Sequence, residues 1–405
     1  MSVFKEIPPT AGLPLHCKDF LRLFSKKSYC RSLEGDFENY LGTPYARVTY
    51  SGTAALYLVL EALKEISPKK TVIIPSFVCP LVPLAIKRTG FKIEVCDINP
   101  DKFNFDRQQL EELCLKKDVL AIVAVHLAGI PLDFSALKEI SGRNKIFIIE
   151  DCAQSLGASY KGKKTGTLGD FSFFSLCRGK GLTIYEGGVI ATQKEEYSKI
   201  IDQTIERLVK ADYFSETLKT LELLGYLVFY RPQLFWFVYR LVQIFWEWQG
   251  QPLRGVSEYY TADFPIHKVS GIRKSIGHIT FGRLEEEIDK QREKAISYIQ
   301  GLKNTPGMKL VTEPSNTKAN YPYLVLLFDD AQKCRQAREV FRNSGLGVSQ
   351  IYAAAITDYD YLKDIIENIP SPNARSLAQR HITLSTSTFL KEKDLQSVVN
   401  KIKNL

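Results

Sequence analysis

Six short apolar runs set the rhythm of the chain, at 71–75, 91–96, 119–125, 146–151, 171–176 and 189–192. They are rich in Val, Ile and Phe and lack the polar alternation of a half-wet strand, so they read as strands buried on both faces. Helical segments at 56–63, up to about 89 and at 106–115 separate the first four, and another runs from after Gln193 to about 210. Strands alternating with helices at this spacing predict a parallel sheet built from right-handed crossovers. From 282 the pattern changes to a long helix over 282–298. It is followed by strand, helix, strand, strand and helix at 321–328, 331–344, 347–352, 380–384 and from 392, a small α+β domain.

The stretch 221–248 interrupts this rhythm. It reads LELLGYLVFYRPQLFWFVYRLVQIFWEW and holds all three tryptophans. No uninterrupted apolar run is long enough to span a bilayer, and Arg231-Pro232 divides the stretch. Over 234–248 the strongly polar side chains are Arg240, Gln243 and Glu247, which share one narrow helix face, so the apolar remainder is expected to be buried. A homodimer interface, the inside of an enlarged domain and the headgroup layer of a membrane all meet that need. Burial in protein is the first expectation and peripheral membrane contact the second.

The chemistry concentrates in 146–190. Ile146, Ile148 and Ile149 lead to Glu150 and Asp151, placing acid at the carboxyl edge of the sheet, where open α/β sheets bind ligands. The run at 171–176 leads to Lys180, and a Glu186-Gly187-Gly188 turn returns the chain to a strand. These are the parts a pyridoxal phosphate pocket requires. A lysine in a pocket of low polarity sheds its proton readily and can form a Schiff base with the cofactor aldehyde, which is the role expected of Lys180. A buried carboxylate, here Asp151, keeps the ring nitrogen protonated. Gln154 can donate to the ring hydroxyl oxygen, and the Ser175 hydroxyl can reach the phosphate. Upstream, the small residues Ser51-Gly52-Thr53-Ala54-Ala55 open an apolar helix whose first N–H groups suit an anion. Each feature has a plainer reading. A strand-end Asp is about as often a helix cap, a lysine among glycines is usually solvated, and 51–55 could be an ordinary capped start. Specificity comes from the combination D-x-x-Q, G-x-x-G-D and S-x(4)-K-x(5)-E-G-G.

With those residues in place, the chain resembles the DegT/DnrJ/StrS family of sugar aminotransferases, within the aspartate aminotransferase superfamily of fold type I pyridoxal phosphate enzymes. The family pattern stands here as Asp151, Ala153, Gln154, Gly157, Tyr160, Gly162, Gly166, Gly169 and Asp170, then Ser175, Lys180 and Glu186-Gly187-Gly188. The resemblance implies an α/β fold, with a large domain whose mostly parallel seven-stranded sheet is flanked by helices and a smaller C-terminal α+β domain. The expected divisions are an N-terminal arm at 1–45, the cofactor-binding domain at 46–205, the aromatic helical insertion at 206–270, and a linking helix with the small domain at 271–405. It implies a pyridoxal 5′-phosphate-dependent transaminase that carries an amino group from glutamate to a nucleotide-linked keto sugar for surface polysaccharide or secondary glycan synthesis. Lys180 and Asp151 are the catalytic candidates; Gly52, Thr53, Phe77, Gln154 and Ser175 complete the cofactor site. It also implies a homodimer with the active site at the subunit interface.

Three departures stand out. The family's His after Ser-Phe is Cys177. The position aligned with its ring-stacking aromatic is Cys79, which leaves Phe77 for that role. Val269 occupies the place of the Asn that reaches a neighbouring subunit's phosphate, leaving Lys268, Ser270 or Arg273 as substitutes. His126 and Tyr352 are expected to be packed rather than functional. Two other readings stay open, a sugar dehydratase using the same cofactor and a non-catalytic, membrane-associated member. Dehydratases of this kind replace the lysine with histidine, so Lys180 counts against the first; the intact Lys, Asp and Ser count against the second.

Composition changes this picture little. At 405 residues, 45% of them hydrophobic, the chain is long enough for two domains and a large core. The net charge of +9 is spread in short groups such as Lys26-Lys27 and 161–164, which suits anionic substrates or a lipid surface without calling for nucleic acid. Eight cysteines, at 17, 30, 79, 96, 114, 152, 177 and 334, show neither a C-x-x-C pair nor zinc spacing, so reduced thiols and no metal site are expected. The first residues lack the apolar core of a signal peptide. A cytoplasmic protein is expected, peripheral to the inner face of the membrane if 221–248 meets lipid.

Overall fold

The structure, a computed structural model, describes residues 4–24, 32–99, 103–255, 259–367 and 369–405. Lys26, Lys27 and Cys30 lie outside the described residues. The six apolar runs are strands, and Tyr45–Thr49 adds a seventh. In chain order the large sheet and its nearest helices are β1 (Tyr45–Thr49), α1 (Gly52–Leu63), β2 (Thr71–Pro75), α2 (Leu81–Thr89), β3 (Lys92–Cys96), β4 (Val119–Val125), β5 (Phe147–Asp151), β6 (Phe171–Ser175) and β7 (Gly188–Thr192). Their spatial order is β1-β7-β6-β5-β4-β2-β3, with β7 antiparallel to both neighbours and every other pairing parallel in direction. Every residue of β4, an interior strand, is buried, as a strand covered by helices on both faces requires. β1 escaped the apolar pattern because it is an edge strand; Arg47 lies on its half-exposed face and pairs with Asp202.

After β7 the chain forms α3 (Tyr213–Phe229), α4 (Pro232–Val238) and α5 (Arg240–Trp248), then α6 (Gly271–Phe281) and the long α7 (Leu284–Leu302). The small domain holds the antiparallel strands β8 (Met308–Val311), β9 (Tyr323–Phe328) and β10 (His381–Ser385) in the order β8-β9-β10. The expected strand at 347–352 is reduced to a single bridge, Ser349 to Thr383, because the segment turns aside to line the central cavity.

The aromatic stretch overturns one expectation. The single helix over 234–248 is two, divided at Tyr239, and its polar stripe faces inward while its apolar stripe faces out. The physical reason is a set of bonds that satisfies the buried guanidinium. Arg240 donates to Gln243 and Glu247, both at 3.1 Å, and to Asn343 at 2.9 Å, while Arg342 braces Glu247 from the small domain. Among the described residues no helix is long and apolar enough to cross a membrane.

Candidate active site

The two acids that end β5 point to opposite sides, as alternation along a strand dictates. Glu150 is fully buried and fixes the turn before β6. Its Oε1 accepts from Leu168 N (2.6 Å) and Gly169 N (2.7 Å), and its Oε2 from Gly166 N (2.7 Å). His126 stands 3.0 Å from Oε2 through Nε2 while its Nδ1 accepts Leu132 N–H, so the proton resides on Nε2. Glu150, His126 and Cys152 lie close enough together to suggest a metal site. Four donors already occupy the carboxylate, and the cluster is a structural brace. Asp151 instead lines the central cavity. Its Oδ1 accepts Ala153 N–H at 2.9 Å. Burial lifts its pKa to about 6, against the opposing pull of that N–H and of the Lys180 charge.

The cavity measures about 650 Å³, within the usual range for ligand pockets, and gathers Gly52, Thr53, Asp151, Gln154, Ser175 and Lys180 onto one wall system. α1 begins where it does because the Ser51 hydroxyl caps Ala54 N–H at 3.0 Å. Gly52 and Thr53, in its first turn, therefore carry N–H groups that precede the intrahelical bonds. β7 runs hard against this start. A Cβ at Gly188 would lie 2.4 Å from the Ser51 carbonyl and 2.6 Å from Gly52 N. Gly188→Ala is therefore expected to displace the helix start and weaken binding of a phosphate-bearing ligand by about tenfold or more, read by equilibrium titration, while Gly142→Ala, whose Cβ meets nothing and whose backbone is helical, leaves it unchanged.

Lys180 sits in a loop that two interactions hold. Leu13 N donates to its carbonyl at 3.1 Å, and its own N–H reaches Cys177 O at 3.2 Å. Gly179 adopts φ +76°, and a side chain there would strike Thr10 of the N-terminal arm. The Lys180 ammonium has no hydrogen-bond or ion-pair partner in the structure among the described residues, while Asp151 is close enough to feel its charge. Gln154 is held between the two domains. Its Oε1 accepts from Ala128 N (2.8 Å) and from the Tyr323 hydroxyl (2.5 Å), and its Nε2 faces the Tyr352 hydroxyl at 3.3 Å.

Two expected residues sit elsewhere. Phe77 does not line the cavity; its ring is buried against Tyr352 and His381, while Cys79 does reach the wall. Arg273 is fully buried, paired with Glu216 at 2.5 Å and donating to the carbonyls of Ile184 and Glu186. It clamps the Glu186-Gly187-Gly188 turn from within its own chain and cannot reach outward to another subunit. Of its two rivals, Ser270 gives its N–H to Glu216, and Lys268 is exposed. Sequence reasoning missed Thr10, Tyr239, Tyr260, Asp263, Tyr323 and Gln350, which also line the cavity. Only Tyr239 gave any signal, as a polar ring within the aromatic stretch 221–248.

The donor set fits pyridoxal phosphate. Among the described residues it combines an unpaired amine, a buried carboxylate with one oxygen free of hydrogen bonds, a side-chain amide held by Ala128 and Tyr323, and a glycine-started helix N-terminus beside a serine.

Comparison with known proteins agrees with this geometry. The profile of the DegT/DnrJ/EryC1/StrS aminotransferase family matches residues 21–225 and 266–403. GDP-perosamine synthase of Caulobacter vibrioides is 35% identical over 182 residues, 45% of this chain and 48% of that protein. The chain thus spans about half the length of such curated relatives in the matched region. An uncharacterized protein of Methanocaldococcus jannaschii is 26% identical over 373 residues, 91% of this chain and 88% of its own length. Among solved structures, Helicobacter pylori PseC, an aminotransferase involved in pseudoaminic acid biosynthesis, superposes with a TM-score of 0.77 at 18% identity, covering 99% of each chain. The architecture is accordingly that of the fold type I enzymes, with the expected sheet and small domain. By its sequence profile and its fold, the chain belongs to the DegT/DnrJ/EryC1/StrS aminotransferase family.

Proposed function

We propose that this protein is a pyridoxal 5′-phosphate-dependent aminotransferase that transfers an amino group from glutamate to a keto sugar carried on a nucleotide. The observation that carries the reading is the unpartnered Lys180 amine sharing one buried cavity with the Asp151 carboxylate. When bound, the cofactor supplies an aldehyde that captures amines and a ring that withdraws electrons. The chain's own residues do the rest. Lys180 Nζ would hold the aldehyde and would carry a proton between its own nitrogen and the donor and acceptor carbons. Asp151 would keep the ring nitrogen protonated. Gly52, Thr53 and Ser175 would take the phosphate, and Gln154 would meet the ring hydroxyl through its amide.

The reading includes a cytoplasmic homodimer with the cleft completed by the second subunit. The sugar names borne by the relatives support the acceptor class. Its test uses purified protein loaded with cofactor. Glutamate alone should convert the visible absorption band, and a 4-keto-6-deoxy nucleotide sugar should then restore it and gain an amine. No response to glutamate, or loss of a sugar hydroxyl without gain of nitrogen, would contradict it.

A further inference from the structure

Helices at a protein surface normally turn polar residues to water and apolar residues to the core. α5 does the reverse, and α4 before it exposes apolar side chains beside its one polar residue, Gln233. Arg240 and Gln243 are 7% and 9% exposed, whereas Phe245 is 51% and Trp248 79% exposed. The exposed Leu234, Phe237, Val238, Leu241, Phe245 and Trp248 recur at steps of one, three and four, one stripe along the helix pair. α3 continues this outward apolar character over 218–229. The whole face exposes on the order of 1,000 Å² of apolar surface, beyond the few hundred Å² of the largest patch on an ordinary monomer.

Its charges are unbalanced in one direction. Each acid along the three helices is neutralised: Glu216 by Arg273 (2.5 Å), Glu222 by Lys219 (2.8 Å), and Glu247 by Arg240 and Arg342 (both 3.1 Å). Two arginines at the ends of the α4–α5 pair are not. Arg231 donates to the Leu15 carbonyl and lies over the Phe389 ring, and Arg254 lies over the rings of Trp246 and Tyr259. Neither has a carboxylate partner among the described residues.

From this we infer that the α3–α5 face docks on an anionic phospholipid bilayer, its apolar stripe at the acyl boundary and Arg231 and Arg254 at the phosphates. The helices lie on such a surface rather than cross it. Trp248 and the flanking aromatic rings suit the headgroup depth. A second copy of the chain is the poorer occupant, because a self-complementary contact would bring the same uncompensated arginines together with no acid to meet them. α4 and α5 also lie wholly outside the stretch that matches the family profile, so a subunit contact shared by the family does not account for them.

The test is flotation of the full-length protein with vesicles of phosphatidylcholine plus phosphatidylglycerol, and with phosphatidylcholine alone. Co-flotation with the anionic vesicles is expected. Phe245→Glu combined with Trp248→Glu should reduce it about tenfold or more, with an unchanged melting temperature and sedimentation coefficient. Arg254→Gln, which leaves the apolar stripe intact, should reduce binding to the anionic vesicles about fivefold, the equivalent of roughly 1 kcal/mol per basic residue. The inference is overturned if the wild-type protein stays with neither vesicle or if the charged variants float as well as wild type. It is overturned equally if the double substitution splits a dimer without altering flotation, which would assign the face to a second copy. None of these outcomes bears on the catalytic reading, which the cofactor band reports separately.

Discussion

Lys180→Ala is expected to cost transamination roughly 10⁴-fold or more, because it removes both the amine that captures the cofactor and the group that moves the proton; proton transfer alone contributes about 10²–10⁴-fold. Stability should barely change. The ammonium has no bonded partner in the structure among the described residues, and the loop is fixed by its backbone through Leu13 and Cys177. The decisive comparison is single-turnover reaction with glutamate beside thermal melting. An unfolded variant would lose both readouts, whereas the expected variant loses only the first. Activity within tenfold of wild type would remove Lys180 from the chemistry.

Asp151→Asn is expected to do two opposite things. It should slow turnover by roughly 10²–10³-fold, the scale of losing one preorganised charge at a reacting centre. It should also stabilise the ligand-free protein at neutral pH. Burial raises the folded-state pKa of Asp151 from its ordinary 3.8 to about 6. The folded chain therefore holds this proton more tightly than the unfolded chain, and stability falls as pH rises from about 4 through about 6 and is level above. At about 1.4 kcal/mol per unit the gap amounts to about 3 kcal/mol at pH 7. Unfolding by denaturant should show the Asn variant more stable by up to that amount at pH 7, with the difference gone by pH 4. Cofactor should reverse the order, since a cation on the ring nitrogen favours the ionised acid. An Asn variant no more stable than wild type at pH 7 would mean that the carboxylate is not desolvated as its position implies.

Legibility in the sequence followed burial. Strands covered on both faces, such as β4 and β5, were visible as unbroken apolar runs, and the acids and glycines at their ends located the cavity wall. The edge strand β1 was not, because it is five residues long and its Arg47 and Val48, on opposite faces, are both half-buried, which leaves too short a pattern to read. Asp151, Gln154, Ser175 and Lys180 were legible because they sit at fixed steps along one contiguous segment. Thr10, Tyr323 and Gln350 were not, since the cavity is closed by the N-terminal arm and small domain folding back across hundreds of residues. Phe77 failed for a local reason: in the turn after β2 its ring falls into the core and Cys79 takes the wall. Arg273 failed for another, because one buried acid, Glu216, captures it. The inverted helix α5 shows the limit of periodicity, which finds two faces but not which of them meets the protein.

The most direct measurement is chemical trapping of the lysine. Protein mixed with pyridoxal phosphate and reduced with borohydride would be digested and the modified peptide mapped. A single modification on Lys180, abolished by Lys180→Ala, is the expected result. A label spread over surface lysines such as Lys161 and Lys163, or none on position 180, would contradict the claim that one amine and one buried acid grip the cofactor together.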